Sequence, residues 1–373
     1  MPSAPLPSWS ARQPGAGHTL DSIQYLRAFA ASAVVAYHAS NTLLGHTGHL
    51  INLDYGTYGV DIFFVVSGFI MFYTTFGTAI RPGTFFVKRL IRIFPMYFIL
   101  STVLFAMVVV RPTFFSQESA DVVAYCESIF FIPHWNPRLH DLQPILGPGW
   151  TLNYEMFFYL LFAASLFFRH KLNGIAVLPV IGALIIFGHF HPVENPAFIT
   201  YTSPMMLEFC LGIVVAASFT VPTSSRLRWP VSLMLLCGTG AAYLYMFRAD
   251  FYGTEAARPF FVGLPCAVLV AAFVAIERCG RLPRFAFLSS VGDASYSLYL
   301  VQVLVIGVGL RLWRHFGLIH SILSHALFIV CILAASIATA LVIYRYVELK
   351  VGRSLTVALR QLEGRSIAAA ASA

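Results

Sequence analysis

Charge is scarce in this chain. Asp, Glu, Lys and Arg make up 11% of its 373 residues, against about 25% in a soluble globular domain, while 58% are hydrophobic and the mean hydropathy is +0.76. Such a composition excludes an ordinary soluble enzyme and a disordered chain. It also excludes a nucleic-acid-binding domain: the net charge of +8 comes from Lys and Arg scattered between apolar runs, with no basic patch. The six cysteines, at 126, 210, 237, 266, 279 and 331, form no C-x-x-C, so zinc and thioredoxin-like motifs are excluded and no disulfide framework is implied. Residues 1–18 lack an apolar segment behind a basic start. They are rich in Pro, Ser and Gly and read as a disordered cytoplasmic tail, not a signal peptide. Low-complexity tracts and convincing internal repeats are missing as well. What remains is a polytopic membrane protein.

Long apolar runs are what the sequence has. A membrane-crossing helix takes roughly 20 mostly apolar residues. Ten stretches qualify: 22–42, 57–77, 91–110, 150–168, 173–190, 201–219, 230–247, 259–277, 291–312 and 321–345. Turn clusters such as Arg81-Pro82-Gly83 and Gly147-Pro148-Gly149 separate them. Residues 118–132 are too short and too acidic to span and read as an interfacial helix. With the N-terminus in the cytoplasm, 17 Lys and Arg fall on the cytoplasmic side and 6 outside, with Arg27 at the start of the first span. The expected fold is therefore all-α: a bundle of about ten transmembrane helices with both termini cytoplasmic, a membrane domain over 19–352, and tails at 1–18 and 353–373.

Few polar residues lie inside the spans, and each is costly enough in a bilayer to be a functional candidate. Arg27 and His38 are 11 residues apart, about three helical turns, so they share a face about 16 Å apart along the axis. Histidine can take a proton from a hydroxyl near neutral pH; the plain alternative is a snorkelling Arg and a His bonded to a neighbouring helix. Asp61 enters the second span near its outer end, with Ser67 and Gly68 further in. Arg89 and Arg92, at i and i+3, converge as a phosphate site would require, although positive-inside charge alone accounts for them equally well. Glu155 lies among aromatics behind an interfacial Trp150, at a depth that sets it opposite His38 first and Arg27 only at longer range. The expected separation from the His38 ring is about 8 Å, a direct or single-water contact. Glu208 is a second intramembrane carboxylate. Ser295, Tyr299 and Gln302 share a face suited to a sugar or a pantetheine arm, or to helix–helix contact. The pairs His46/His49 and His189/His191 have no further ligands at metal-site spacing, so no metal is expected.

Arg27-x10-His38, Gly59-Val60-Asp61-Ile62-Phe63-Phe64 with Ser67-Gly68-Phe69, Arg89-x-x-Arg92 before Pro95, Trp150-Thr151-Leu152-x-x-Glu155-x-x-Phe158-Tyr159 and Ser295-Tyr296-Ser297-Leu298-Tyr299-Leu300 occur in one order. Together they resemble the acyltransferase 3 family over roughly residues 19–352, and the opening Ile23-Gln24-Tyr25-Leu26-Arg27 is most similar to its exopolysaccharide-production branch. The resemblance implies an integral enzyme of the cell inner membrane that moves an acyl group, usually acetyl from acetyl-CoA, onto a sugar hydroxyl of a glycan or lipid-linked sugar. It implies His38 as base or nucleophile, Glu155 or Asp61 orienting it, and Arg27 on an oxyanion or a CoA phosphate. Arg89 and Arg92 would bind the donor, and Ser67, Trp150, Ser295, Tyr299 and Gln302 the substrates. Gln302 departs from the family, where a His often stands, and cannot exchange a proton near neutral pH. Membrane lipid is an expected partner; nucleic acid is not. A transporter or flippase of a glycan precursor is the rival reading, against which stands the lack of internal pseudo-symmetry.

Overall fold

The computed structural model describes residues 20–47, 51, 53–111, 120–168, 174–220, 256–318 and 321–371. Among these the chain is all helical: α1 (Asp21–Thr47), α2 (Gly59–Thr75), α3 (Pro82–Val110), α4 (Val122–Ile129), α5 (Trp150–Ser165), α6 (Val177–Phe190), α7 (Pro196–Tyr201), α8 (Met206–Ser218), α9 (Leu264–Arg278), α10 (Ala286–Asp293), α11 (Ser295–His315), α12 (Ile322–Ile343) and α13 (Leu349–Ala371). Local chemistry sets several ends. Asp121 caps α4 by accepting from the backbone N–H of Val123 at 2.7 Å and Ala124 at 3.0 Å, as an N-cap carboxylate does. Pro82 and Pro196 sit where a helix start needs no N–H donor.

Among the described residues, six helical stretches are long and apolar enough to cross a membrane: Asp54–Thr75, Pro82–Val110, Pro196–Ser218, Pro259–Arg278, Ser295–His315 and Ile322–Gln361. They correspond to six of the ten expected spans. The other four differ for separate reasons. The first, α1, is a 27-residue helix that carries Asp21, Gln24, Arg27, His38 and Asn41 and packs against α2, α9, α10, α11 and α12. The fourth and fifth, α5 and α6, have only 16 and 14 residues. The stretch 230–247 lies outside the described residues, as does the expected tail at 1–18. The expected interfacial helix is α4, and α13 runs through the stretch read as a C-terminal tail.

Two features of the packing position the site. First, α2 starts halfway along α1. A Cβ on Gly56 would meet the Ala33 carbonyl oxygen at 2.4 Å, and one on Gly59 the Ala30 carbonyl oxygen at 2.4 Å, so glycine is required where the helices touch. The pairing is antiparallel, so Ser67, eight residues or about 12 Å further along α2, comes level with the N-terminal half of α1. Second, α2 and α8 interlock through glycines on both sides: a Cβ on Gly68 would lie 2.0 Å from the Phe209 carbonyl oxygen, and one on Gly212 2.0 Å from that of Val65. Phe209 then stacks on Phe64 and Phe158, with ring centroids 4.5 Å apart in each pair. The start of α1 is fixed by Glu277 of α9, which accepts from the backbone N–H groups of Asp21 (2.9 Å) and Ser22 (3.0 Å), a carboxylate at a helix N-terminus.

Candidate active site

A cavity of about 80 Å³ opens between α1, α2, α3, α5 and α11. Its lining includes Arg27, Ser67, Arg89, Arg92, Thr151, Glu155, Tyr159, Ser295, Tyr296 and Tyr299. Five helices thus bring together seven of the residues singled out from the sequence: Arg27, Ser67, Arg89, Arg92, Glu155, Ser295 and Tyr299. Arg92 is exposed, whereas Arg27 is only 7% exposed, so the cavity runs from an open end at Arg92 to a closed end at Arg27.

Glu155 organises one wall. Its Oε1 accepts from the Ser67 hydroxyl at 2.6 Å and from the Tyr159 hydroxyl. Tyr159 is one helical turn beyond Glu155 on α5, and its ring lies 6.0 Å from the Arg89 guanidinium, which also sits 5.5 Å from the Phe85 ring. Arg27 donates to the Gln24 side chain at 3.1 Å. Glu155 lies within electrostatic reach of both Arg27 and Arg89. Among the described residues, however, no carboxylate comes within ion-pair distance of Arg27, Arg89 or Arg92. Three guanidiniums around one void, none neutralised by direct contact, suit an anion with several oxygens. On α11, the Tyr299 hydroxyl is shared with Thr151 at 3.1 Å and with the Pro148 carbonyl at 3.1 Å. The Tyr296 hydroxyl donates to the Ile93 carbonyl at 2.7 Å and ties α11 to α3 beside Arg92. Ser295 Oγ is buried with no hydrogen-bond partner, so its hydroxyl is unspent at the cavity wall.

Four expected site residues do not line this cavity. His38 lies on α1, 11 residues beyond Arg27, with its ring 4.9 Å from that of Tyr37. Glu155 and Arg27 both line the cavity. The start of α2 against Ala30 sets Ser67, and Glu155 bonded to it, toward the N-terminal half of α1, which carries Arg27. Asp61 is fully buried and held in a two-pronged pair by Arg258, at 2.9 Å from Nε and 2.8 Å from Nη2. Glu208 lies beside this pair, and neither of its buried oxygens meets a donor among the described residues. Trp150 packs edge-on against Tyr154 with centroids 5.7 Å apart. Gln302 is buried, donating to the Tyr299 carbonyl at 3.0 Å.

Tyr159 was findable as a site residue in the sequence, since it lies at i+4 from Glu155 on one helix face. Arg258 was not. It reads as an outer-loop charge and stands 197 positions from Asp61.

Residues 20–345 match the acyltransferase 3 family, described as an acyltransferase domain. The exopolysaccharide production protein ExoZ of Rhizobium meliloti is 30% identical over 262 residues, 70% of this chain and 80% of its own length. The acyltransferase MdmB of Streptomyces mycarofaciens is 26% identical over 79% of this chain and 80% of its own. The O-acetyltransferase OatA of Staphylococcus aureus is 26% identical over 75% of this chain, which spans only 49% of OatA. No solved structure matches significantly. With the family match running from the first residue described to the turn that follows α12, and the arginine-lined cavity inside it, the chain belongs to the acyltransferase 3 family of membrane O-acyltransferases.

Proposed function

We propose that this chain moves an acetyl or similar small acyl group from acyl-CoA onto a sugar hydroxyl of an exopolysaccharide or other cell-surface glycan, in the inner membrane. The observation that carries the reading is the set of three guanidiniums around one cavity without a carboxylate in ion-pair contact among the described residues. Such a set calls for a polyanion, and coenzyme A brings phosphates. The printed name of the R. meliloti relative supports the acceptor class. In this reading Arg89 and Arg92 hold donor phosphates at the open end, and the acyl-bearing arm runs inward past Ser67, Ser295 and Tyr299. The acceptor oxygen attacks the thioester carbonyl, and Arg27, distant from His38 along α1, holds a donor phosphate and not the reacting atoms. His38 takes the hydroxyl proton and returns it to the departing thiolate, so that an ester and a free thiol are the products. Arg27 and His38 are about 16 Å apart along α1, which allows a donor end and an acceptor end on one helix. Asp61, already committed to Arg258, acts by positioning α2, while Trp150 and Gln302 support the walls around the substrates.

One observation favours a second assignment of the base: Glu155 lines the cavity and His38 does not. Thiol release from acetyl-CoA by the purified full chain separates the two. His38→Ala is expected to lose about 10²–10⁴-fold in turnover while keeping the wild-type melting temperature, and Glu155→Gln to lose less. Wild-type turnover by His38→Ala would remove His38 as base or nucleophile. A larger loss in Glu155→Gln would transfer the role to Glu155.

A further inference from the structure

A second void, sharing no lining residue with the arginine cavity, lies between α11 and α12. It measures about 640 Å³, within the range of ligand pockets, about 300–1,000 Å³, and apart from Thr339 its lining is apolar. The two helices touch at Gly309, where a Cβ would run into Ile332 Cδ1, and exposed residues such as Val308 and Ala335 line the void, so it is a groove open to the outside of the bundle. On α11 the lining runs from Val301 to Phe316, about 22 Å of helix. One leaflet of a hydrocarbon core is about 15 Å deep, so a chain lying along the groove passes the level at which an ordinary lipid tail ends.

One end of the groove is basic. Arg311 and His315 stand seven residues beyond the lining residues Leu304 and Val308, about two helical turns, which puts them on the same side of α11 at its C-terminal end. The His315 ring lies against that of Phe316, a lining residue, with centroids 5.3 Å apart. From Ser295 through Val347 the sequence holds no Asp or Glu, so α11, α12 and the residues between them carry positive charge only. The same end is tied to α1. Trp313 Nε1 donates to Ser324 Oγ at 2.9 Å, and the next residue, His325, meets Ser40 Oγ at 3.3 Å. Ser40 is two residues from His38, about 3 Å along the axis, so the basic end of the groove stands at the height of His38. The other end of α11 lines the arginine cavity through Ser295 and Tyr299.

We infer that the groove between α11 and α12 seats the long apolar chain of a lipid-linked sugar acceptor, with the phosphate that joins chain to sugar at Arg311 and His315. The inference rests on the glycan-acceptor part of the proposed function and adds that the acceptor arrives on a lipid carrier. A basic mouth on an apolar groove longer than one leaflet fits a phosphate on a long chain in both charge and length. An anionic phospholipid fits the charge alone, because its tails stop at the midplane. The carrier chain then stays in the hydrocarbon while the sugar stands at the height of His38.

Photocrosslinking tests it, using the purified full chain in phosphatidylcholine nanodiscs and a long-chain isoprenyl phosphate that bears a diazirine on its chain. Labelling is expected on the residues that line the groove, displaced by unlabelled isoprenyl phosphate and not by phosphatidylglycerol. Ala335→Phe fills the groove from an exposed position and should weaken probe binding roughly tenfold or more, as a changed fit in an apolar pocket does. Val308→Phe does the same from the facing helix and keeps the test available if Ala335→Phe does not fold. Arg311→Gln should weaken binding of the phosphate probe roughly tenfold and leave binding of the corresponding isoprenyl alcohol unchanged. Equal displacement by phosphatidylglycerol would make the groove a seat for ordinary lipid and overturn the inference. Labelling away from the groove, or wild-type binding in both groove-filling variants, would overturn it too. The binding assay contains no acetyl-CoA, so each of these results leaves the acyl-CoA reading standing. That reading falls instead if the wild type releases no thiol from acetyl-CoA, whatever the probe labels.

Discussion

Two groups of charged side chains lie among the membrane-crossing helices, and they are built in opposite ways. In one, Arg258 grips Asp61 with two hydrogen bonds of 2.8 and 2.9 Å, the carboxylate is wholly buried, and neither residue lines the arginine cavity. In the other, Arg27, Arg89 and Arg92 line a cavity of about 80 Å³, and Glu155 accepts from the hydroxyls of Ser67 and Tyr159, not from a guanidinium. The first group has its charge neutralised internally and joins α2 to the segment before α9. The second keeps its guanidiniums in reserve for a ligand. The contrast teaches that a charge inside a membrane protein is not by itself a sign of chemistry. What separates a strut from a site is whether the partner of opposite charge is already in contact.

The comparison can be broken at several points. The largest effect is expected from Asp61→Ala, which leaves Arg258 without its partner. Loss of one member of a buried pair costs about 3–5 kcal/mol, and thermal unfolding in detergent should show it. Asp61→Asn combined with Arg258→Gln should cost less than the sum of the single changes. Additive losses would mean that the pair is not a unit. A smaller effect, on binding and not on stability, is expected from Arg89→Ala with Arg92→Ala. Hydrogen bonds to charged groups contribute about 1.5–3 kcal/mol, so the apparent affinity for acetyl-CoA should fall while the melting temperature holds. An unchanged affinity would return the two residues to plain topology signals. The smallest effect is expected from Gln302→Leu, which gives up one buried hydrogen bond to the Tyr299 carbonyl, about 0.5–1.5 kcal/mol of stability. A turnover loss well beyond that of Ser67→Ala would bring Gln302 into the chemistry.

Much of the site was legible because helices impose a fixed geometry on spacing. Arg89 and Arg92 at i, i+3 do line one cavity, and so do Ser295 and Tyr299 at i, i+4. Arg27 lines the cavity and His38 stands three turns further along the same helix; angular position along a helix says nothing about which neighbour stands at which height. Asp61 was legible as a buried carboxylate but not as half of a pair, since its partner lies 197 residues away.

The sequence by itself determined the helical, membrane-crossing character and the identity of the polar residues that helices must shield from lipid, because both follow from composition and period. It also carried the family, through five short motifs in one order. The tertiary structure alone decided which polar residues meet. Glycines at 56 and 59 let α2 pack closely along α1, and the resulting arrangement brings Glu155 and Arg27 to one cavity. The 27-residue α1 packs against five other helices. Contacts of this kind depend on how closely two backbones approach and at what relative height, and neither quantity is written in the spacing of residues along one chain.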